Sequence, residues 1–378
     1  MTSTPTIAII GGGQLARMMA EPAAALGIPL RLLAEAEGVS AAQVIVDHQV
    51  GDYTDLATLE QVTQGCAVVT FDHEHVPTEH LHTLEKSLAV RPGPHALVFA
   101  QDKGLMRQRL GELGVPCPRN ALVENVEDVV AFGLPCVLKV TRGGYDGKGV
   151  WFVRSADDAA EAFAAGVPVL AEELVDFRRE LSAIVARSPS GQVAAYPVVA
   201  TTQANGICHE VVAPAPDLAE DLALEAERIA MTIAGELDVT GVMAVEMFET
   251  TDGRLVVNEL AMRPHNTGHW TQDGAVTSQF ENHLRAVLDL PLGAPQARAP
   301  WTVMVNILPV EGAAPLYAGY RHALARDPHL RVHLYGKELR PGRKVGHVNA
   351  WGDDLDETLE RARHAAAWFA GELGEESE

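Results

Sequence analysis

The sequence predicts an α/β protein of mixed α+β character. A Rossmann-like N-terminal domain comes first, then a central domain built around a glycine-rich loop, then a small strand-rich C-terminal domain. Three observations carry this. Thr6–Ile10 is a short apolar run followed at once by Gly11-Gly12-Gly13 and a helical pattern from Gln14, the strand, tight turn, helix order of a nucleotide-binding unit. Val137–Val140 and Val150–Val153 are apolar runs flanking a loop with four glycines in the seven residues Gly143–Gly149. Val242–Phe248 and Leu255–Leu260 are joined by a turn over Thr250–Gly253 and read as a hairpin.

The remaining elements follow in order. Val44–Val46 and Ala67–Phe71 read as strands, and Leu56–Val62 and Thr78–Lys86 as helices, completing a domain over residues 1–98. Pro92–Pro94 marks its end. Leu97–Leu113 has helical spacing and stops at Gly114, with Pro116 and Pro118 beyond. Ala121–Ala186 alternates short strands and helices and forms a lid subdomain inside a central domain over 99–295. Ala219–Glu236 and Gln279–Leu288 are amphipathic helices. Pro291–Pro300 is a linker. Trp301–Trp351 is strand-rich, and Asp354–Leu373 closes a 296–378 domain as an exposed helix.

Composition narrows the function. A chain of 378 residues with 47% apolar and 21% charged residues suits a soluble globular protein. No apolar run approaches the roughly 20 residues of a membrane helix, and the N-terminus lacks the basic start of a signal peptide. Cys66, Cys117, Cys136 and Cys208 are scattered, as expected of reduced thiols in the cytoplasm. The fifteen histidines form no metal-ligand pattern; His73 and His75 alternate like a strand face. A net charge of −22 argues against nucleic acid and anionic membranes as partners. Against that background the basic run Arg340–Lys344 stands out.

Asn258–Thr271, Asn-Glu-Leu-Ala-Met-Arg-Pro-His-Asn-Thr-Gly-His-Trp-Thr, is too dense in reactive groups for a core segment. The hairpin brings Glu246 close to Asn258 and Glu259. Two carboxylates and an amide beside Arg263, His265 and Asn266 suit a hard cation next to an oxyanion. The loop Gly143–Gly149 offers backbone N–H groups to phosphate, but no Gly-Lys-Ser/Thr and no helix follows, so it is not a Walker loop. Gly11–Ala16 with Glu35 downstream imitates a dinucleotide fingerprint, yet Ala16 stands at the third glycine position.

The order Lys139, glycine loop, Glu172-Glu173-Leu174-Val175, then Glu246 and Asn258-Glu259 resembles the ATP-grasp superfamily. With Asn258–Thr271 and Tyr335–Val348 it is similar to the N5-carboxyaminoimidazole ribonucleotide synthetases of purine biosynthesis, over Ile7 to about Asn349. The resemblance implies an ATP-grasp fold and a cytoplasmic, homodimeric ligase. Its substrates would be ATP, bicarbonate and 5-aminoimidazole ribonucleotide, with Mg2+. It implies ATP contacts from Lys103, Lys139, Gly144, Tyr145, Asp146, Gly147, Lys148, Gly149, Val150, Glu172, Glu173, Leu174, Val175, Glu180, Gln203, Asn258 and Glu259. Glu246 and Glu259 would hold the metal. Arg263, His265, Asn266, Tyr145 and Lys344 would surround bicarbonate and carboxyphosphate. Gln14, Leu15, Glu74, Asp146, Lys337 and Arg343 would hold the ribotide. The chain departs from the family in three places. Lys103 stands where Arg is commoner, Gln203 where His is usual, and His73 and His75 flank Glu74 as neutral replacements. The rivals are a formate-using ribotide transformylase of the same superfamily, an NAD-dependent oxidoreductase, and an inactive homologue. The intact Lys139, Glu246 and Glu259 argue against the last.

Overall fold

The computed structural model describes residues 4–144, 148–164, 166–204 and 206–373. The N-terminal part is a five-stranded parallel sheet of β1 (Ile7–Ile10), β2 (Leu30–Ala34), β3 (His48–Val50), β4 (Val68–Phe71) and β5 (Ala89–Val90), in the order β3-β2-β1-β4-β5. Helices α1 (Gln14–Leu26), α2 (Leu56–Thr63) and α3 (Thr78–Leu84) connect these strands. All four residues of β1 and all four of β4 are buried, because a parallel sheet hides both faces. The strand expected at Val44–Val46 is instead a turn and bend after a 3-10 turn, with Val46 95% exposed. The pairing edge begins only at His48.

The helix expected over Leu97–Leu113 is two helices, α4 (Pro94–Gln101) and α5 (Lys103–Glu112). Asp102 ends the first in extended conformation and caps the second, accepting the Leu105 N–H at 3.1 Å. This break reorients α5 and its basic face.

A small antiparallel sheet follows: β6 (Asn120–Val123), β7 (Cys136–Val140), β8 (Val150–Val153) and β9 (Val169–Glu173), in the order β6-β9-β7-β8. Helices α6 (Val126–Phe132) and α7 (Ala156–Phe163) back it. The chain then builds a larger antiparallel sheet. Its strands are β10 (Phe177–Arg187), β11 (Val193–Ala195), β12 (Val199–Ala204), β13 (Ile207–Ala213), β14 (Gly241–Thr250) and β15 (Leu255–Ala261), with the long helix α8 (Glu220–Glu236) against it. After α9 (Thr271–Gly274) and α10 (Gln279–Val287), β16 (Trp301–Ile307) pairs with β13. The C-terminal strands thereby extend the same sheet, through β17 (Arg331–Leu334) and β18 (Gly346–Gly352). Two C-terminal details differ from expectation. A helix, α11 (Leu316–Arg326), interrupts the strand-rich stretch. The final helix, α12 (Leu355–Ala370), is not an exposed one: Ala362, Ala365, Ala366 and Phe369 are buried with Val303, Val305 and Val348 of the sheet. Small alanines read as a solvated helix, yet they let it approach the strands closely.

The β14–β15 hairpin carries an irregularity that shapes the site. Glu246 pairs with Glu259, but Met247 pairs with Val257, so Asn258 has no cross-strand partner. This is a β-bulge. Val257 and Leu260 are core residues, and both residues between them line the cleft. A regular strand would put Asn258 and Glu259 on opposite faces. His283 of α10 ties this sheet to the N-terminal one. Its Nδ1 accepts the Val242 N–H at 3.1 Å, and its Nε2 lies 2.7 Å from Thr70 Oγ1 on β4.

Candidate active site

A cleft of about 1240 Å³ lies where the three sheets meet. Its walls contain Gln14, Leu15 and Glu74 from the N-terminal part and Lys103 from α5. Lys139, Gly144, Lys148, Val150 and Glu172 to Val175 come from the small sheet and its loops. Glu180, Gln203, Glu246, Asn258 and Glu259 come from the large sheet, and Arg263, His265 and Asn266 from the segment after it. Lys337, Arg343 and Lys344 close the far side. Residues called from distant parts of the chain are thus gathered in one place. Tyr145, Asp146 and Gly147 lie outside the described residues. Gly149 does not line the cleft. With φ +73° it closes the β7–β8 turn, its carbonyl accepting the Val140 N–H at 2.9 Å.

The acidic end of the cleft is strongly coupled. Burial, then Glu259 and Glu180, push the Glu246 carboxyl up to about 7. Lys103 contacts the Glu259 carboxylate. Lys139 Nζ donates to Asn258 Oδ1 at 3.0 Å and lies 2.7 Å from Glu172 Oε2. Burial alone would raise Glu172, but Arg107 and Lys139 outweigh it and hold the carboxyl below its usual value. Burial raises Glu180, against hydrogen bonds from Gln203 and Thr201, so the glutamine at the departure position faces that acid. Among the described residues no three His, Cys, Asp or Glu side chains can hold a cation by themselves. Glu246, Glu259 and Asn258 nonetheless offer the few hard oxygens that magnesium takes alongside phosphate and water.

Hydrogen-bond donors and cations lie beside these acids. His265 Nε2 lies 3.4 Å from Glu246 Oε1, and its Nδ1 lies 2.9 Å from Thr267 Oγ1, itself 2.8 Å from Ser182 Oγ. Gln279 fixes the His265 backbone, accepting its N–H at 2.9 Å and donating to its carbonyl at 2.7 Å. Burial, with Arg263 and Lys344 acting the same way, holds the His265 ring well below its ordinary value, so it is neutral. Arg263 Nε lies 3.4 Å from Glu74 Oε2, while Glu74 Oε1 accepts the Met262 N–H at 2.6 Å. Both polar atoms of the buried Asn266 amide lack a hydrogen-bond partner among the described residues. Lys337 donates to Gln14, joining the two ends of the chain across the cleft.

Two expectations change here. His73 sits on a bend and His75 just beyond it, neither on a strand, their rings stacked at 5.2 Å between centroids. At the start of α1, Asp72 Oδ1 accepts the Ala16 N–H at 2.8 Å. Glu35 accepts the Gly12 N–H at 2.9 Å. Two carboxylates thus sit at the glycine turn and the start of α1, where a dinucleotide pyrophosphate would meet like charge, which counts against an NAD reading. The sequence reading also missed Arg107, a buried cation between Glu172 and the hairpin. Its position four residues after Lys103 on one helix was the available signal.

Comparison with known proteins matches this layout. The ribonucleotide synthetase preATP-grasp domain family matches residues 4–101, the ATP-grasp domain family residues 108–280, and the phosphoribosylaminoimidazole carboxylase C-terminal domain family residues 302–361. The N5-carboxyaminoimidazole ribonucleotide synthase of Mycobacterium tuberculosis strain H37Rv is 54% identical over 377 residues, covering 97% of this chain and 88% of its own. That of Corynebacterium ammoniagenes is 50% identical, covering 96% and 91%. Among solved structures, an ADP complex of an N5-carboxyaminoimidazole ribonucleotide synthetase superposes with a TM-score of 0.89 at 38% identity, covering 99% of this chain and 100% of the other. The Aspergillus clavatus enzyme with ADP and 5-aminoimidazole ribonucleotide superposes with a TM-score of 0.89 at 31% identity, covering 98% and 99%.

Proposed function

This chain belongs to the N5-carboxyaminoimidazole ribonucleotide synthase family of ATP-grasp ligases, and we propose how its cleft performs that family's reaction. It has the ATP-grasp fold with a preATP-grasp N-terminal domain, and it carboxylates 5-aminoimidazole ribonucleotide at the expense of ATP in purine biosynthesis. Bicarbonate is the carbon source in this proposal. The observation that carries it is the meeting of Glu246, Asn258, Glu259 and Lys139 with the donors Arg263, His265 and Asn266 in one cleft.

Bicarbonate attacks the γ-phosphorus of ATP, forming carboxyphosphate and releasing ADP. Carboxyphosphate then breaks to carbon dioxide and phosphate. The exocyclic amine of the ribotide captures the carbon dioxide, and its proton passes to phosphate. Lys103, Lys139 and the loop amides at Gly144 and Lys148 align the phosphates. Glu173 to Val175 meet the adenine edge, and Glu180, held by Gln203, takes the ribose hydroxyls. Glu246, Glu259 and Asn258 would hold magnesium, which when bound neutralises charge on the transferring phosphoryl group. Arg263, neutral His265 and Asn266 donate to bicarbonate and then to carboxyphosphate, placing fixed dipoles where charge develops. Lys344 adds positive charge there, while Gln14, Leu15, Glu74, Lys337 and Arg343 hold the ribotide.

In this reading the enzyme acts as a homodimer, and its four free thiols suit the reducing cytoplasm in which it would work. The decisive experiment is ADP release with and without the ribotide at controlled bicarbonate. Release that needs both supports the proposal. Release that follows formate instead assigns the cleft to a transformylase.

A further inference from the structure

Arg107 is only 2% exposed, and the proposed chemistry gives it nothing to do. It lies on α5 four residues after Lys103, so the two side chains share a helix face. Lys103 takes the Glu259 carboxylate. Arg107 Nη1 donates to the Val257 carbonyl at 2.9 Å and Nη2 to the Asn258 carbonyl at 2.7 Å. One helix face therefore grips three consecutive residues of the bulged strand. The circuit also closes through side chains. Arg107 Nε donates to Glu172 at 2.5 Å, Glu172 pairs with Lys139 at 2.7 Å, and Lys139 donates to the Asn258 amide oxygen at 3.0 Å.

We propose that Arg107 is a positioning residue that locks the bulge at Asn258, so that Asn258 and Glu259 face the cation and phosphates together. This rests on the reading of those two residues as magnesium and ATP contacts. A strand whose register slips by one residue turns its side chains to the other face. Two carbonyls held by one rigid guanidinium oppose such a slip. Stability alone is a poor account of this residue. Buried charges are costly to desolvate, and apolar replacements are often as stable. Lysine cannot substitute, because a single ammonium lacks the planar fork that spans two carbonyls and a carboxylate.

The test uses the full chain carrying Arg107→Lys and Arg107→Met. Thermal unfolding reports folding. Mn2+ binding to the ADP complex, followed by electron paramagnetic resonance, reports the cation site without turnover. The Mg2+ dependence of ADP release reports its use. We expect a folded Arg107→Lys to bind Mn2+ about tenfold more weakly, to need about tenfold more Mg2+, and to lose about 10–100-fold in kcat. Its metal-free ADP affinity stays within about threefold. Arg107→Met shows the same pattern, larger; if it does not fold, Arg107→Lys carries the test. Wild-type Mn2+ affinity and Mg2+ dependence in a folded variant, with only a lower melting temperature, would overturn the proposal. Failure of the wild-type ADP complex to bind Mn2+ would instead remove the parent reading, and is visible without any variant.

Discussion

Glu246 and Glu259 are direct cross-strand partners in the β14–β15 hairpin. Like charges so placed destabilise a sheet, and burial with that neighbour raises the Glu246 carboxyl from 4.5 to about 7. The folded chain thus keeps a proton that the unfolded chain has released. This contribution is complete below pH 4.5 and is lost as pH rises through about 7. Glu246→Gln should therefore stabilise the nucleotide-free protein at pH 8, by up to about 3 kcal/mol, and change little at pH 4.5. The same variant should lose about 10²–10³ in turnover with saturating MgATP. Urea unfolding at the two pH values and an ADP-release assay check the pair. Equal stability at pH 8 would mean that the acids do not strain each other.

The chemistry of this cleft was legible because polar groups interrupt apolar strands at Lys139, Glu246 and Asn258-Glu259. Those positions have no bland explanation in a core. The geometry that unites them was not legible. A bulge adds one residue without changing strand propensity, so nothing in Val256–Leu260 announces that Asn258 and Glu259 share a face. Arg107 stayed hidden for a related reason, since a basic residue on a polar helix reads as solvated until its partners are known. The helix break was recoverable, because Asp102 followed by Gly104 is a capping signal inside the run read as one helix. In contrast, α12 could not be separated from a solvated helix, because alanine suits both a wet face and a close contact.

His283 gives a prediction of the opposite sign. Its ring accepts the Val242 N–H and reaches Thr70, and burial lowers its pKa from 6.5 to about 3. The unfolded chain binds a proton there as pH falls through 6.5, and the folded chain does so only near 3. Its stabilisation is complete above 6.5 and shrinks toward 3, by about 1.4 kcal/mol per pH unit at most. His283→Gln should be less stable at pH 8, by about 1–3 kcal/mol. Between pH 6 and 4 its stability should fall less steeply, by about one proton. Buried His265, His269 and His347 still contribute, so part of the slope remains. Identical slopes in urea unfolding across that range would count against a neutral interdomain His283.

The glycine-rich loop should respond to nucleotide. Arg142 is exposed and paired with Asp102 at 2.7 Å, Lys148 is exposed, and both line the cleft. Glycines lose more freedom on ordering than other residues, and contacts from the loop amides to bound phosphate would offset that cost. Trypsin cleavage after Arg142 and Lys148 should slow about tenfold with MgATP. Mass spectrometry of the fragments tells these sites from others. Unchanged cutting there would mark the segment as a passive hairpin.

The basic residues at the far wall should serve the ribotide. Lys337 already bridges to Gln14 of the N-terminal domain, and Arg343 lines the same cleft, its guanidinium donating a long 3.5 Å bond to the Glu338 carbonyl. Arg343 is exposed and held loosely, so it can turn toward an anion at little cost. Against the chain's net charge of −22, each cation lining the cleft helps to draw in an anionic substrate. Removing one charge-assisted hydrogen bond costs about 1.5–3 kcal/mol. Arg343→Ala should therefore raise the ribotide KM about 10–100-fold. ADP affinity should stay nearly unchanged, because the nucleotide residues lie on other elements. ADP and ribotide titrations on the same purified variant make the comparison. If ADP binding weakens while ribotide binding holds, Arg343 belongs to the nucleotide end of the cleft, and the division of labour argued here is reversed.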